Sequence, residues 1–239
     1  MADKYTDMMT DEVYEKACSL LEEGSLQEAA EIFKKLADDG NPLAQCDYGV
    51  CLAEGKGVEK NEEAAAEYWQ KSADAGFPLA EHKLGICYFK GLCGLENNND
   101  KAFECFQKAS DGGVRESMLN LAYCYQEGIG VQPDIKKSIE WMEKAADAKM
   151  PEACLNIGVL YLFGKSGVAK DEEKGFNFIR NAAESGLPHA QFILGCCCES
   201  GHGTEKDFAE AAGWYRRAAR GGVAEANKSL ERLGFPGVK

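Results

Sequence analysis

An all-α array of stacked antiparallel helix pairs is the fold this 239-residue sequence predicts, on three observations. A small residue recurs in an apolar setting at Gly49, Gly85, Ala122, Gly158 and Gly195, at intervals of 36 or 37. Each is followed by a glycine loop, Gly-x-Gly at Gly55–Gly57, Gly128–Gly130 and Gly201–Gly203, and Gly-x-x-Gly at Gly91–Gly94 and Gly164–Gly167. Twelve residues beyond the second glycine stands a bulky apolar side chain (Trp69, Phe106, Met142, Ile179, Tyr215), and four further on a small one (Ala73, Ser110, Ala146, Ala183, Ala219). A single helix pair cannot bury its apolar face alone, so a period of this length implies neighbours stacked into one continuous core.

Each repeat reads as helix A, glycine loop, helix B. The i, i+4 pairing of large and small residues in helix B puts both on one face. With small residues in helix A it allows close approach, the large side chain of one layer filling the gap beside the next at about 1.5–3 kcal/mol per buried large residue. The loop glycines suit an abrupt helix stop with φ > 0, and Asn61 and Asp134 suit helix B starts. In chain order, residues 1–11 form a tail and 12–43 a shorter helix pair turning at Gly24-Ser25. The five repeats follow at 44–79, 80–116, 117–152, 153–189 and 190–223, and residues 224–239 supply a polar capping helix ended by Gly234-Phe235-Pro236.

Composition narrows the function. Hydrophobic residues make up 45% and charged residues 28%, a globular balance. No apolar run reaches the roughly 18 residues of a membrane span, and the acidic start lacks the pattern of an export signal, so the expected location is the cytoplasm. A net charge of −13 argues against nucleic acid. The charge is uneven: residues 1–40 hold 11 Asp/Glu against 4 Lys/Arg, residues 200–239 hold 5 against 7. A monomer is expected, with head-to-tail self-association through these opposed ends as a weaker alternative.

The pattern Ala-x4-Gly, Gly-x-Gly-Val, then Ala-x2-Trp/Tyr-x3-Ala-Ala-x2-Gly resembles the Sel-one-like repeat family, a relative of the tetratricopeptide repeats. Five copies across residues 44–222 carry it, most plainly Ala211 to Gly222, and residues 12–43 resemble a degenerate tetratricopeptide cap. The resemblance implies a right-handed α-solenoid (superhelix) and a scaffold or adaptor role, often through a concave groove. It implies that Tyr88, Tyr125 and Tyr161, three after the small residue, pack against helix B rather than form a binding ladder. A cysteine-rich bacterial branch carries disulfide-linked helix pairs and is associated with binding or hydrolysing β-lactams. This chain departs from that branch, having no export signal and no regular cysteine pairing.

The eleven cysteines read as buried reduced thiols. Cys51, Cys87, Cys124 and Cys197 share a column with Leu160, which marks a core site. One intra-repeat pair stays open, Cys87 with Cys105, against which the reducing compartment argues. Cys196-Cys197-Cys198 points three ways on a helix and cannot hold one metal ion. Gly55-Lys56-Gly57-Val58 follows a helix and lacks the Gly-Lys-Ser/Thr ending of a phosphate cradle. His82, His189 and His202 fall in different registers without a nucleophile–base motif. No catalytic, cofactor or metal site is expected.

The predicted functional surface is the helix A lining. Lys83, Asn120 and Asn156 stand two before the small residue, Gln126 and Glu199 four after it. Asn120 and Asn156 are the leading candidates, because an amide both donates to and accepts from a peptide backbone. A carboxylate clamp of the tetratricopeptide type is not supported, since the neighbouring positions are His82, Ile86, Glu152 and Ile193. The expected function is a non-enzymatic scaffold or adaptor gripping a protein segment or extended peptide, one of basic character given the acidic surplus. The alternative is a β-lactam-type binder or hydrolase.

Overall fold

The computed structural model describes residues 12–165 and 167–238. Among them are thirteen α-helices and no strand. They fall into two compact units, divided between Gln132 and Pro133. The first holds α1 (Glu12–Glu23), α2 (Leu26–Asp38), α3 (Pro42–Glu54), α4 (Glu62–Asp74), α5 (Pro78–Lys90), α6 (Asn99–Asp111) and α7 (Arg115–Glu127). The second holds α8 (Ile135–Asp147), α9 (Pro151–Phe163), α10 (Glu172–Glu184), α11 (Pro188–Ser200), α12 (Phe208–Arg220) and α13 (Ala224–Arg232). Within each unit every helix packs on its neighbours in the chain.

Helix ends are set by local chemistry. Every helix B start is capped by a carboxylate or amide: Asn61 accepts from the Ala64 amide, Asn98 from Lys101, Asp134 from Lys136 and Lys137, Asp171 from Lys174, and Asp207 from Ala209 and Glu210. Helix A starts differently, with proline in the first turn of α3, α5, α9 and α11, where a missing N–H costs nothing. Helix A ends on a left-handed glycine, Gly55, Gly91, Gly128, Gly164 or Gly201, in every repeat.

The small and large columns meet, but within a repeat rather than between layers. A methyl placed on Gly49 would lie 2.5 Å from Trp69 Nε1, one on Gly85 2.7 Å from the Phe106 ring, one on Gly158 2.7 Å from Ile179, and one on Gly195 2.7 Å from Tyr215. The predicted gap-filling therefore joins helix A to helix B of the same pair, which is why those pairs approach closely. Trp69 is fixed further by its Nε1, which donates to the Cys46 carbonyl at 3.1 Å. In the first, third and fifth repeats the second loop glycine adds a contact to the preceding helix pair. A Cβ on Gly57 would meet the Leu26 carbonyl at 2.0 Å, on Gly130 the Asn99 carbonyl at 2.2 Å, and on Gly203 the Glu172 carbonyl at 2.2 Å. The loop thus rests on the first turn of the preceding helix B. Val58 and Tyr48 extend the first unit's core around buried Phe33, Leu84 and Trp69.

Candidate protein-interaction face

In α3 nearly every side chain is buried, and the stripe left half-buried runs through Asp47 and Val50. The same register gives Lys83 and Ile86 in α5 and Asn120 and Tyr123 in α7, so three helix A elements of the first unit present one polar and one apolar row. Asp47 accepts a hydrogen bond from the Tyr14 hydroxyl at 2.6 Å. Burial raises its carboxyl above the ordinary range, against the pull of Tyr14 and of the Lys83 charge. Lys83 has no carboxylate within ion-pair distance among the described residues, and Asn120 no side-chain hydrogen bond there. Beside them Tyr123 is 48% exposed. Gln126 is half-buried, and its amide donates to Glu127 Oε1 at 2.8 Å.

The second unit repeats the register with Asn156 exposed and Val159 and Ile193 half-buried, and Phe163 is 51% exposed at the end of α9. Glu199 behaves differently from the outward groove residue the sequence suggests. Its carboxylate accepts from the Tyr215 hydroxyl at 2.7 Å and is gripped by both terminal nitrogens of Arg232. The Arg232 hydrogen bond first, then that of Tyr215, holds this carboxyl below its usual range. Glu199 therefore fastens α13 to α11 instead of facing a partner. Lys83, Asn120 and Gln126 belong to the first unit, Asn156 and Glu199 to the second.

Buried polar groups serve the core. His82 Nδ1 and Ser117 Oγ lie 2.7 Å apart, both buried. This Ser–His pair is no nucleophile: Ser117 has no exposed surface, and burial, then the Lys83 charge, pushes the imidazole's pKa down. It was missed in the sequence because the two residues are 35 apart. The available signal was that Ser117 stands in the column of Ala44, Ala80, Ala153 and Ala190.

Of the cysteines, ten have thiols pushed up, by burial first in each case; Cys51 and Cys124 reach about 11, Cys46, Cys105 and Cys197 about 12. The cysteine that Cys87 meets is not Cys105 but Cys93, at 3.1 Å between sulfurs. Cys105 instead sits near Glu81, which pairs with Lys108 at 3.2 Å. In the Cys196–Cys198 run the first thiol lies 3.4 Å from the Tyr215 hydroxyl while the other two are buried. No group of three His, Cys, Asp or Glu suited to a metal occurs among the described residues. No described helix is long and apolar enough to cross a membrane. Tyr125 is buried and packs edge-on to Phe103, and half-buried Tyr161 stacks on Phe178 and takes a hydrogen bond from Lys174.

The helix pairs with their glycine joints match the Sel1 repeat at residues 42–77, 78–114, 115–150, 151–187 and 188–223. The chain belongs to the Sel1 repeat family. Each match begins two residues ahead of the boundaries read from the sequence, at the helix A start. Among solved structures, this Sel1 repeat protein resembles one from Oxalobacter formigenes, with 31% identity, 92% of each chain covered and a TM-score of 0.85. It also resembles a protective antigen of uropathogenic Escherichia coli with an SLR fold, with 27% identity over 96% of this chain and 50% of that one, and a TM-score of 0.84. The fold is thus the helical-repeat solenoid of these relatives. Curated relatives include chitin synthase regulator SKT5 of Malassezia restricta, 38% identical over 30% of this chain, and chitin synthase regulatory factor 3 of Schizosaccharomyces pombe, 31% identical over 43%. The chain spans 5% and 11% of their respective lengths.

Proposed function

We propose that this Sel1 repeat protein is a non-catalytic scaffold or adaptor that binds an extended protein segment on its helix A face. The observation that carries this reading is the row in the first unit: Lys83 and Asn120, half-buried and without a side-chain hydrogen bond or ion pair among the described residues, beside a half-exposed Tyr123. Polar groups with spare hydrogen-bonding capacity next to an aromatic ring suit a peptide backbone with one apolar anchor. In the second unit Asn156 offers the same amide beside Val159. The partial likeness to two regulators of chitin synthase supports a protein-binding role, and the net charge of −13 favours a segment of basic character.

Site-specific photo-crosslinking tests it. A benzophenone side chain at Tyr123 is expected to give a discrete protein adduct in extract of the source cells, and one at Glu104, exposed on helix B, is expected to give none. Equal adducts from both positions, or adducts from Glu104 alone, would reject the helix A face.

A further inference from the structure

The loop between α5 and α6 is one residue longer than those of the first, third and fifth repeats, and the extra length changes what it does. In those repeats the second glycine sits against backbone of the preceding helix B. Here Gly94 meets the side chain of Glu63 instead, its nearest atom 2.8 Å from a built Cβ. The loop stands off, leaving a cleft of about 450 Å³ lined by Glu63, Glu67, Gln70, Tyr88 and Cys93 among others. Cys93 adopts the left-handed conformation, φ 59°, which disfavours any side chain. That conformation accompanies the placement of its sulfur 3.1 Å from the Cys87 sulfur.

We propose that Cys87 and Cys93 form an oxidisable dithiol, a modification site at which a small neutral peroxide closes a disulfide across the end of α5. Both cysteines belong to the core, but Cys93 lines the cleft and at 9% exposure is the more accessible of the two, so we assign it the first step; Cys87, at 3%, lies deeper. The Cys93 sulfur attacks one peroxide oxygen, the O–O bond breaks, and the departing hydroxide takes the thiol proton to leave as water. The sulfur of Cys87 then forms the S–S bond as the new S–O bond breaks, and the second hydroxide leaves as water with the Cys87 proton. Two sulfurs lose two electrons in total and one peroxide becomes two waters. A disulfide needs sulfurs about 2.03–2.05 Å apart, so closure requires an approach of roughly 1 Å, within a loop whose Leu92 and Asn98 amides are held by the Cys87 and Tyr88 carbonyls. Glu63 and Glu67 in the lining disfavour an anionic oxidant such as an acidic peptide disulfide, which selects hydrogen peroxide as the probe.

The pair is readable by tryptic mapping. Cleavage after Lys83, Lys90 and Lys101 puts Cys87, Cys93 and Cys105 on three different peptides. Treatment of the intact protein with hydrogen peroxide, followed by alkylation and digestion without reductant, is expected to yield peptide 84–90 joined to peptide 91–101. Alkylatable thiol at these two positions should fall at least tenfold faster than at buried Cys124, and a reducing thiol should restore it. Cys93→Ser, with circular dichroism unchanged, should abolish the joined peptide and return Cys87 to the rate of Cys124. Alkylation of Cys87 and Cys93 as complete as before treatment, or a joined pair of 84–90 with 102–108, would overturn the proposal.

Discussion

One methyl group gives opposite signs at two helical glycines. Gly→Ala in a helix interior gains about 1 kcal/mol of propensity where the methyl has room. Gly213 has nothing within 4 Å of a built Cβ, so Gly213→Ala should stabilise by about 0.5–1 kcal/mol. At Gly49 the methyl meets the indole 2.5 Å away and displaces the Trp69 hydrogen bond to Cys46. Overpacking of about 1–3 kcal/mol plus the lost bond outweighs the propensity gain, so Gly49→Ala should destabilise by about 1–2 kcal/mol in chemical denaturation. Equal gains at both sites would show that the large and small columns do not interlock. The His82–Ser117 pair carries a pH signature. Its imidazole is held neutral by burial and the Lys83 charge, opposed by Glu116. Above about pH 6.5, the free imidazole value, neither folded nor unfolded chain binds this proton. Below it the unfolded chain takes up a proton the native side chain refuses, so stability falls until the folded pKa is passed. His82→Leu/Ser117→Ala, residues that other repeats hold in these columns, should flatten that part of the decline between pH 7.5 and 5.5; an undiminished decline would remove His82 as its source.

Helix ends explain both the regularity of the array and its exceptions. From α2 to α12 every helix is 13 residues long, and in the five repeats a side-chain cap sets each helix B start and a left-handed glycine each helix A end. The turn from helix B back to helix A also uses a positive-φ residue, Gly76, Gly113, Gly186 or Gly222, but the third repeat has Lys149 there at φ 64°. Lys149→Gly should relieve that strain and raise stability by about 0.5–1 kcal/mol in denaturant titration; a loss of stability would mean that the lysine stem contributes more than the strain costs. Much at this scale was legible, including the loop glycines, the caps Asn61 and Asp134, and the core column of Cys51, Cys87, Cys124 and Cys197. Two features were not. The direction of the large–small packing depends on helix separation, which a one-dimensional pattern does not carry. The internal capture of Glu199 depends on Arg232, 33 residues away on a different helix.

For the whole chain, the repeat and the face were legible because a register recurring every 36 or 37 residues sets which positions share a row. It did not separate residues of that row that are free from those already engaged. Asp47, in the same register as Asn120, is tied to Tyr14 from a preceding helix, while Lys83 and Asn120 have no such tether among the described residues. Lys83 and Asn120 are the residues proposed to bind protein. The most direct measurement takes the partner captured from Tyr123 and compares its affinity for the wild type with that for Lys83→Ala/Asn120→Ala, Asn156→Ala and Glu104→Ala, each checked for an unchanged melting temperature. Binding should be about tenfold weaker for the Lys83/Asn120 variant, equivalent to roughly 1.4 kcal/mol, with a smaller loss for Asn156→Ala and none for Glu104→Ala. Wild-type affinity in the Lys83/Asn120 variant would contradict that role.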